Sequence, residues 1–230
     1  MHTGLYNRNR KTRNTSLVDH GELLDEGLAE LGLAQRLGDD QMLMQYVTEL
    51  MTWNRVYNLT SVRKPAENVT RHVLDSLTVL PHLRGDRILD IGTGAGLPGI
   101  PLAIACPERE FVLLDSSSKK LRFVRQTLGI LELDNVTLED ARVEEYQPEQ
   151  HFDTITCRAF SDLPDFYRYA ARLCADEGRM LAMKGVYPMT EVECLQDKSV
   201  IDDIVALKVP GLDAERHLVI MHVEEGQQAT

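Results

Sequence analysis

The chain is poor in cysteine, with only Cys106, Cys157, Cys174 and Cys194 in 230 residues, and none in a C-x-x-C pair. No histidines cluster beside them, so no metal site or disulfide framework is expected, and reduced thiols are. No apolar run approaches the roughly 20 residues of a membrane span. The opening residues, MHTGLYNRNRKTRNTS, lack the hydrophobic core of a secretory signal, so a cytoplasmic protein is expected. Positive charge is also scarce: 25 Lys and Arg against 36 Asp and Glu give a net charge of -11. Such a protein does not bind RNA indiscriminately, and any nucleic-acid substrate must meet a confined basic patch. There is no internal repeat, no low-complexity tract and no long exposed apolar heptad, so a monomer is expected.

With 43% hydrophobic residues, a chain of this length can bury one full core and carry a small extension. Residues 1–20 hold Arg8, Arg10, Lys11 and Arg13 against one acid, Asp19, and read as a disordered basic tail. The remainder then sums to about -14. Leu43, Val47, Leu50 and Met51 fall at i, i+4, i+7 and i+8, which predicts an amphipathic helix over Gln41 to Trp53. Val69, Val73, Leu77 and Leu80 repeat the pattern up to Pro81. A helical section over 21–83 is the consequence, with WNRVYNLTSVRKP between its helices read as a loop.

From residue 84 to 230 the rhythm changes to strand, helix, strand. Strands are expected at Arg87 to Ile91, Phe111 to Leu114, Val136 to Leu138, Thr154 to Cys157 and Arg179 to Met183. Two further β-rich runs lie at Asp203 to Val209 and Arg216 to Val223. Short apolar strands alternating with helices predict an α/β domain on a parallel, doubly wound, Rossmann-like sheet. In such sheets ligands lie beyond the carboxyl ends of the strands.

The densest signal is LDIGTGAGLPGI, where an apolar run ends in Asp90 and glycines follow at Gly92, Gly94, Gly96 and Gly99. The next strand ends in Asp115, where an acid grips the ribose hydroxyls of a bound nucleoside. Gly94 to Gly99 satisfies G-x-G-x-x-G, so a nicotinamide or flavin dinucleotide, and with it an oxidoreductase, stays open. Asp90 ahead of the glycines, and the prolines Pro98 and Pro101 around Gly99, favour instead S-adenosylmethionine (AdoMet), which has no pyrophosphate. Asp90, Gly92, Gly94, Gly96, Leu97 and Asp115 are thus candidate cofactor residues. Asp140, Val143 and Glu144, after the third strand, are candidates for the adenine.

Chemistry at the remaining strand ends narrows by elimination. The [DN]-P-P-[YF] motif of many amino-group methyltransferases is missing, because the fourth strand runs into CRAFSD. Cys157 lacks the preceding proline of cytosine-C5 enzymes, and the next strand end reads MKG, so a core thiol is expected. Guanine N7 has an in-plane lone pair and no proton to lose, so its methylation needs positioning and not a general base. Arg158 and Lys184 are placed to hold the guanine O6 edge, or else to pair with acids. Lys119, Lys120, Arg122 and Arg125, with no acid between Ser116 and Ile130, form the best RNA-docking face or a plain solvated one. His72 and Asp75, one helical turn apart, read as a structural pair.

Taken together, WNRVYNLTSVR, RHVLDSL, LDIGTGAGLPGIPLAI, LLDSSSKKLRFVR, ARVEE, CRAFSDL, LAMKG and VPGLDAERHLVI resemble the bacterial small-subunit ribosomal RNA methyltransferase G family, also called glucose-inhibited division protein B. The likeness runs in order from about Gln35 to Val223 and omits the basic tail. It implies a seven-stranded methyltransferase fold, AdoMet as cofactor, and methylation of N7 of guanine 527 in 16S rRNA, in the small subunit or its precursor. It also implies cofactor contacts at Gly92, Leu97, Val143, Glu144 and Arg158. A ribosome-assembly factor that kept the fold and lost catalysis is the remaining alternative.

Overall fold

The computed structural model describes residues 20–36 and 41–224, so the expected basic tail lies, His20 apart, outside the described residues. Helix α1 covers 20–30 and α2 covers Gln41–Tyr57. A third rod begins as α3 (Pro65–Asn68), widens into a π-helical stretch (Val69–Leu74) and closes as α4 (Asp75–Leu77). Helix α2 outruns its expected end at Trp53 by one turn, since Trp53 and Tyr57 stack along it with ring centroids 4.9 Å apart. The loop is therefore shorter than expected, and it is fastened to the buried side chain of Asn54. Asn54 donates to the Val62 carbonyl at 2.9 Å and accepts from the Thr60 amide at 2.9 Å.

The alternating part supplies β1 (Arg87–Ile91), α5 (Gly99–Ala105), β2 (Glu110–Asp115), α6 (Ser118–Leu131), β3 (Val136–Asp140) and β4 (Phe152–Arg158). It continues with α7 (Leu163–Ala171), β5 (Cys174–Lys184), α8 (Met189–Glu193), β6 (Ile201–Ala206) and β7 (His217–Met221). One seven-stranded sheet results, in the order β3-β2-β1-β4-β5-β7-β6. Each expected strand is present, but the sheet is not parallel throughout. β7 runs antiparallel to β5, with Lys184 opposite His217, and β6 antiparallel to β7. The physical reason is connectivity: no crossover helix joins β6 to β7, so the chain turns back and pairs antiparallel.

Side chains of the sheet alternate between two cores. Ile88, Phe111, Leu113, Leu181 and Leu218 face a core shared with Leu24, Leu43, Tyr46, Leu50 and Val73 of the N-terminal helices. Leu89, Ile91, Val112, Leu114, Ile155 and Cys157 face the other, against Leu163 and Phe166 of α7. Full burial of each such aliphatic or aromatic side chain stabilises by about 1.5–3 kcal/mol. The N-terminal helices thus cover one face of the sheet. Strand order reverses between β1 and β4, and the crevice belonging to that reversal opens at the carboxyl ends of these strands.

Candidate functional site

The turn after β1 is shaped by backbone that only glycine tolerates. Gly94 sits at φ +62°, and a Cβ there would meet nothing nearer than Gly92 O at 3.8 Å and Lys120 Nζ at 3.9 Å. The left-handed conformation requires glycine, and the space above it is free for a ligand. The Gly94 amide donates to Asp115 Oδ2 at 2.8 Å, while Asp115 Oδ1 accepts from the Ser117 amide at 2.8 Å. Asp115 is thereby fixed at the tip of β2 beside the turn, with Lys120 Nζ at 3.8 Å.

Asp90 requires a correction. It was a candidate cofactor ligand, but its carboxylate is fully buried and faces inward. Oδ2 accepts from Thr93 Oγ1 at 2.6 Å and from the Gly99 amide at 3.0 Å, and Oδ1 from Thr156 Oγ1 at 3.2 Å. Asp90 therefore staples the turn to the first amide of α5. Burial pushes its carboxyl up to about 7, against those hydrogen bonds. The N-terminus of α5, where a dinucleotide's pyrophosphate would rest, is occupied by the protein's own carboxylate. Gly99 is needed for close packing: a Cβ there would stand 2.2 Å from Leu113 Cδ2 and 2.9 Å from Asp90 Oδ2.

The other candidates fall along the same rim. Gly92 and Gly96, both at positive φ, and the buried Leu97 complete the turn. Asp140 ends β3 beside Asp115, its register partner, and is exposed. Val143 is buried with its carbonyl bound by the Arg172 guanidinium, and Glu144 is exposed. Arg158 ends β4 and Lys184 ends β5. Lys184 Nζ lies 2.6 Å from Glu191 Oε2 on α8, which also accepts from the Leu163 amide at 2.9 Å. Cys157 is buried and burial pushes its thiol up, as a core position requires.

On α6, Lys119, Arg122 and Arg125 are exposed, whereas Lys120 turns toward Asp115. Lys119 Nζ lies 5.7 Å from the Tyr57 ring centroid, so the end of α2 supports the basic face of α6. The face is therefore partly ordered, and only three of its four cations point outward.

His72 and Asp75 do not pair with each other. Arg158 lies between them, with Nη2 2.8 Å from His72 Nδ1 and Nη1 3.4 Å from Asp75 Oδ2. Arg216 joins from the position just before β7, its Nε 3.0 Å from Asp75 Oδ1. Sequence reasoning also missed Tyr46, whose hydroxyl donates to the Ala95 carbonyl at 2.8 Å within the glycine turn. A polar-headed aromatic at i+3 from Leu43, on the apolar face of α2, was the available signal. Nothing local announces Arg216, which meets Asp75 across 141 positions of sequence.

Residues 39–219 match the family model described as rRNA small subunit methyltransferase G. The ribosomal RNA small subunit methyltransferase G of Laribacter hongkongensis is 50% identical over 198 residues, which span 86% of this chain and 96% of that protein. Among solved structures, a putative O-methyltransferase from Klebsiella pneumoniae superposes with a TM-score of 0.56 at 17% identity, covering 78% of this chain and 90% of its own. The glycopeptide N-methyltransferase MtfA, solved with S-adenosylhomocysteine, gives 0.52 at 12% identity over 66% and 87%. These two likenesses concern the fold, a Rossmann-like methyltransferase sheet. With a family model spanning most of its length and a half-identical relative, this chain belongs to the rRNA small subunit methyltransferase G family.

Proposed function

We propose that this protein transfers a methyl group from AdoMet to N7 of guanine 527 in 16S rRNA of the small ribosomal subunit or its precursor. AdoMet when bound supplies an electrophilic methyl group on a sulfonium. The observation that carries the reading is the division of labour between the two acids of the crevice. Asp115 stands beside an open glycine turn, suited to ribose hydroxyls, while Asp90 fills the helix terminus that a pyrophosphate would need. That arrangement fits a nucleoside without phosphate and disfavours a dinucleotide oxidoreductase. The names of the relatives support ribosomal RNA as substrate.

In this reading Gly92, Gly94, Gly96 and Leu97 line the cofactor's approach, and Asp115 accepts from the ribose. Asp140, Val143 and Glu144 border the adenine. Arg158 and Lys184 orient the base through its oxygen edge and leave N7 unobstructed. No side chain needs to remove a proton, because N7 carries none. Lys119, Arg122 and Arg125 supply the local positive field that an RNA phosphate backbone requires from a protein of net charge -11. The intact turn and its Asp115 partner count against a catalytically dead assembly factor.

Isothermal titration with AdoMet and with NADH tests the cofactor directly. AdoMet should bind and NADH should not. Asp115→Ala should weaken AdoMet by roughly 1.5–3 kcal/mol, the scale of a hydrogen bond to a charged group. Binding of NADH alone would replace the proposal with an oxidoreductase.

A further inference from the structure

Two arginines converge on one buried carboxylate behind the crevice. Only 3% of the Asp75 side chain is exposed, and it faces Arg158 through Oδ2 and Arg216 through Oδ1. Arg158 is itself largely enclosed, with 21% of its side chain exposed. Its second terminal nitrogen lies 2.8 Å from His72 Nδ1, and His72 Nε2 lies 2.8 Å from Thr60 Oγ1. Because a guanidinium only donates, Nδ1 must accept, which places the imidazole proton on Nε2, toward Thr60. Nδ1 also stands 2.9 Å from the Arg71 carbonyl, a contact that this tautomer leaves without a hydrogen bond.

Both holding residues come from the rod that covers the sheet. His72 lies in the π-helical stretch and Asp75 at its end, where the Asp75 amide reaches both the His72 and the Thr70 carbonyls. Single π-type turns inside helices occur frequently at functional sites. The cluster holds two guanidinium cations and one carboxylate, with His72 kept neutral: burial, aided by Arg158, pushes its imidazole down to about 4. A staple between α4 and β7 needs only Asp75 and Arg216. The additional contacts to Arg158, a hydrogen bond to His72 and an ion pair with Asp75, act on the guanidinium from two sides.

We propose that His72 and Asp75 are positioning residues, which fix the Arg158 guanidinium at the carboxyl end of β4 in the orientation that methyl transfer uses. The inference rests on the proposed function, in which Arg158 contacts a reaction partner. Its physical content is preorganisation: a donor held in place before substrate arrives need not be ordered in the transition state, and a displacement of about 1 Å can cost on the order of 100-fold in rate. The N-terminal helices then contribute to the active centre as well as to the core.

The test is a double-mutant cycle on Arg158→Ala, Asp75→Asn and His72→Phe, reading tritium transfer from labelled AdoMet to small-subunit RNA. His72→Phe keeps a planar aromatic ring and removes the acceptor, so it remains informative if Asp75→Asn unfolds. Asp75→Asn is expected to lower kcat/KM by roughly 10- to 100-fold, through whichever of kcat or KM Arg158→Ala alters. His72→Phe should do the same to a smaller degree. In the Arg158→Ala background either change should then add less than about twofold, because residues that act as a unit are not additive. In proton-detected spectra of labelled arginine, slow rotation of the Arg158 guanidinium should become fast in both variants. Multiplying losses, or losses that only track the folded fraction, would overturn the inference while leaving the proposed function standing. A wild-type protein that transfers no methyl group to RNA would overturn both.

Discussion

The hydroxyl of Tyr46, on α2, donates a 2.8 Å hydrogen bond to the carbonyl of Ala95, in the middle of the glycine turn. A helix outside the alternating part of the chain therefore holds the loop against which the cofactor is proposed to lie. Tyr46 is fully buried, so the Ala95 carbonyl has no water to replace it. Tyr46→Phe should cost about 1–3 kcal/mol of unfolding free energy, the penalty for an unsatisfied buried acceptor. AdoMet affinity should fall along with it. Urea unfolding and calorimetric titration measure the two effects, and an unchanged affinity would mean that the loop keeps its shape unaided.

Gly94 and Gly99 should fail in different ways. At Gly99 an added methyl collides with Leu113 and Asp90, so Gly99→Ala should destabilise by about 1–3 kcal/mol through overpacking. At Gly94 the space is open but φ is +62°, so Gly94→Ala should cost only about 1–2 kcal/mol in backbone strain. Its methyl would stand where the ligand approaches, and AdoMet binding should be lost out of proportion to stability. Equal loss of binding per unit of lost stability in both variants would refute the assignment of the open face.

Stability should depend on pH through two buried groups of opposite sign. Asp90 is held up to about 7 by burial, so between about 4 and 7 the folded protein keeps a proton that the unfolded chain has released. Its contribution is lost as pH rises through that window, by at most about 1.4 kcal/mol per pH unit. His72, pushed down to about 4 by burial, has the opposite effect: the unfolded chain gains a proton below about 6.5 that the folded state refuses, so its contribution is lost as pH falls. Asp90→Asn removes the first effect and leaves the second. The stability of this variant relative to wild type should therefore rise from pH 4 to pH 7 and then level off. A constant difference would mean that Asp90 stays ionised throughout.

The basic face of α6 should matter to RNA and not to AdoMet. Lys120 is excluded from the test because it approaches Asp115. Reversal of Lys119, Arg122 and Arg125 to Glu should raise the Michaelis constant for small-subunit RNA and flatten its dependence on salt. AdoMet affinity should stay within twofold. Unaltered RNA kinetics would leave the face as solvated charge.

The glycine turn and the acid at the tip of β2 were legible because they are written in contiguous stretches. A strand, the acid near its end and the following glycines occupy adjacent positions, and Asp115 closes the next strand. Strand positions in the sheet were readable from short apolar runs, but the direction of β7 was not, since pairing direction depends on a return connection and not on side-chain pattern. Asp90 looked like a ligand because burial and hydrogen-bond donors from Thr156 and Gly99 cannot be seen in a one-dimensional motif. The clamp on Arg158 was illegible for the same reason: His72 and Asp75 lie far along the chain from Arg158 and Arg216 and meet them only in the folded structure. Helix α2 exceeded its expected end because Trp53 and Tyr57 act as a stacked helical pair and not as loop residues.

The central claim is tested most directly by locating the transferred methyl group. Small-subunit RNA or particles incubated with the protein and AdoMet would be reduced with borohydride and treated with aniline, which cuts the chain at N7-methylguanosine. The account predicts one new break, at guanine 527, dependent on both protein and AdoMet. Label incorporated without a break, or a break at another guanine, would contradict it.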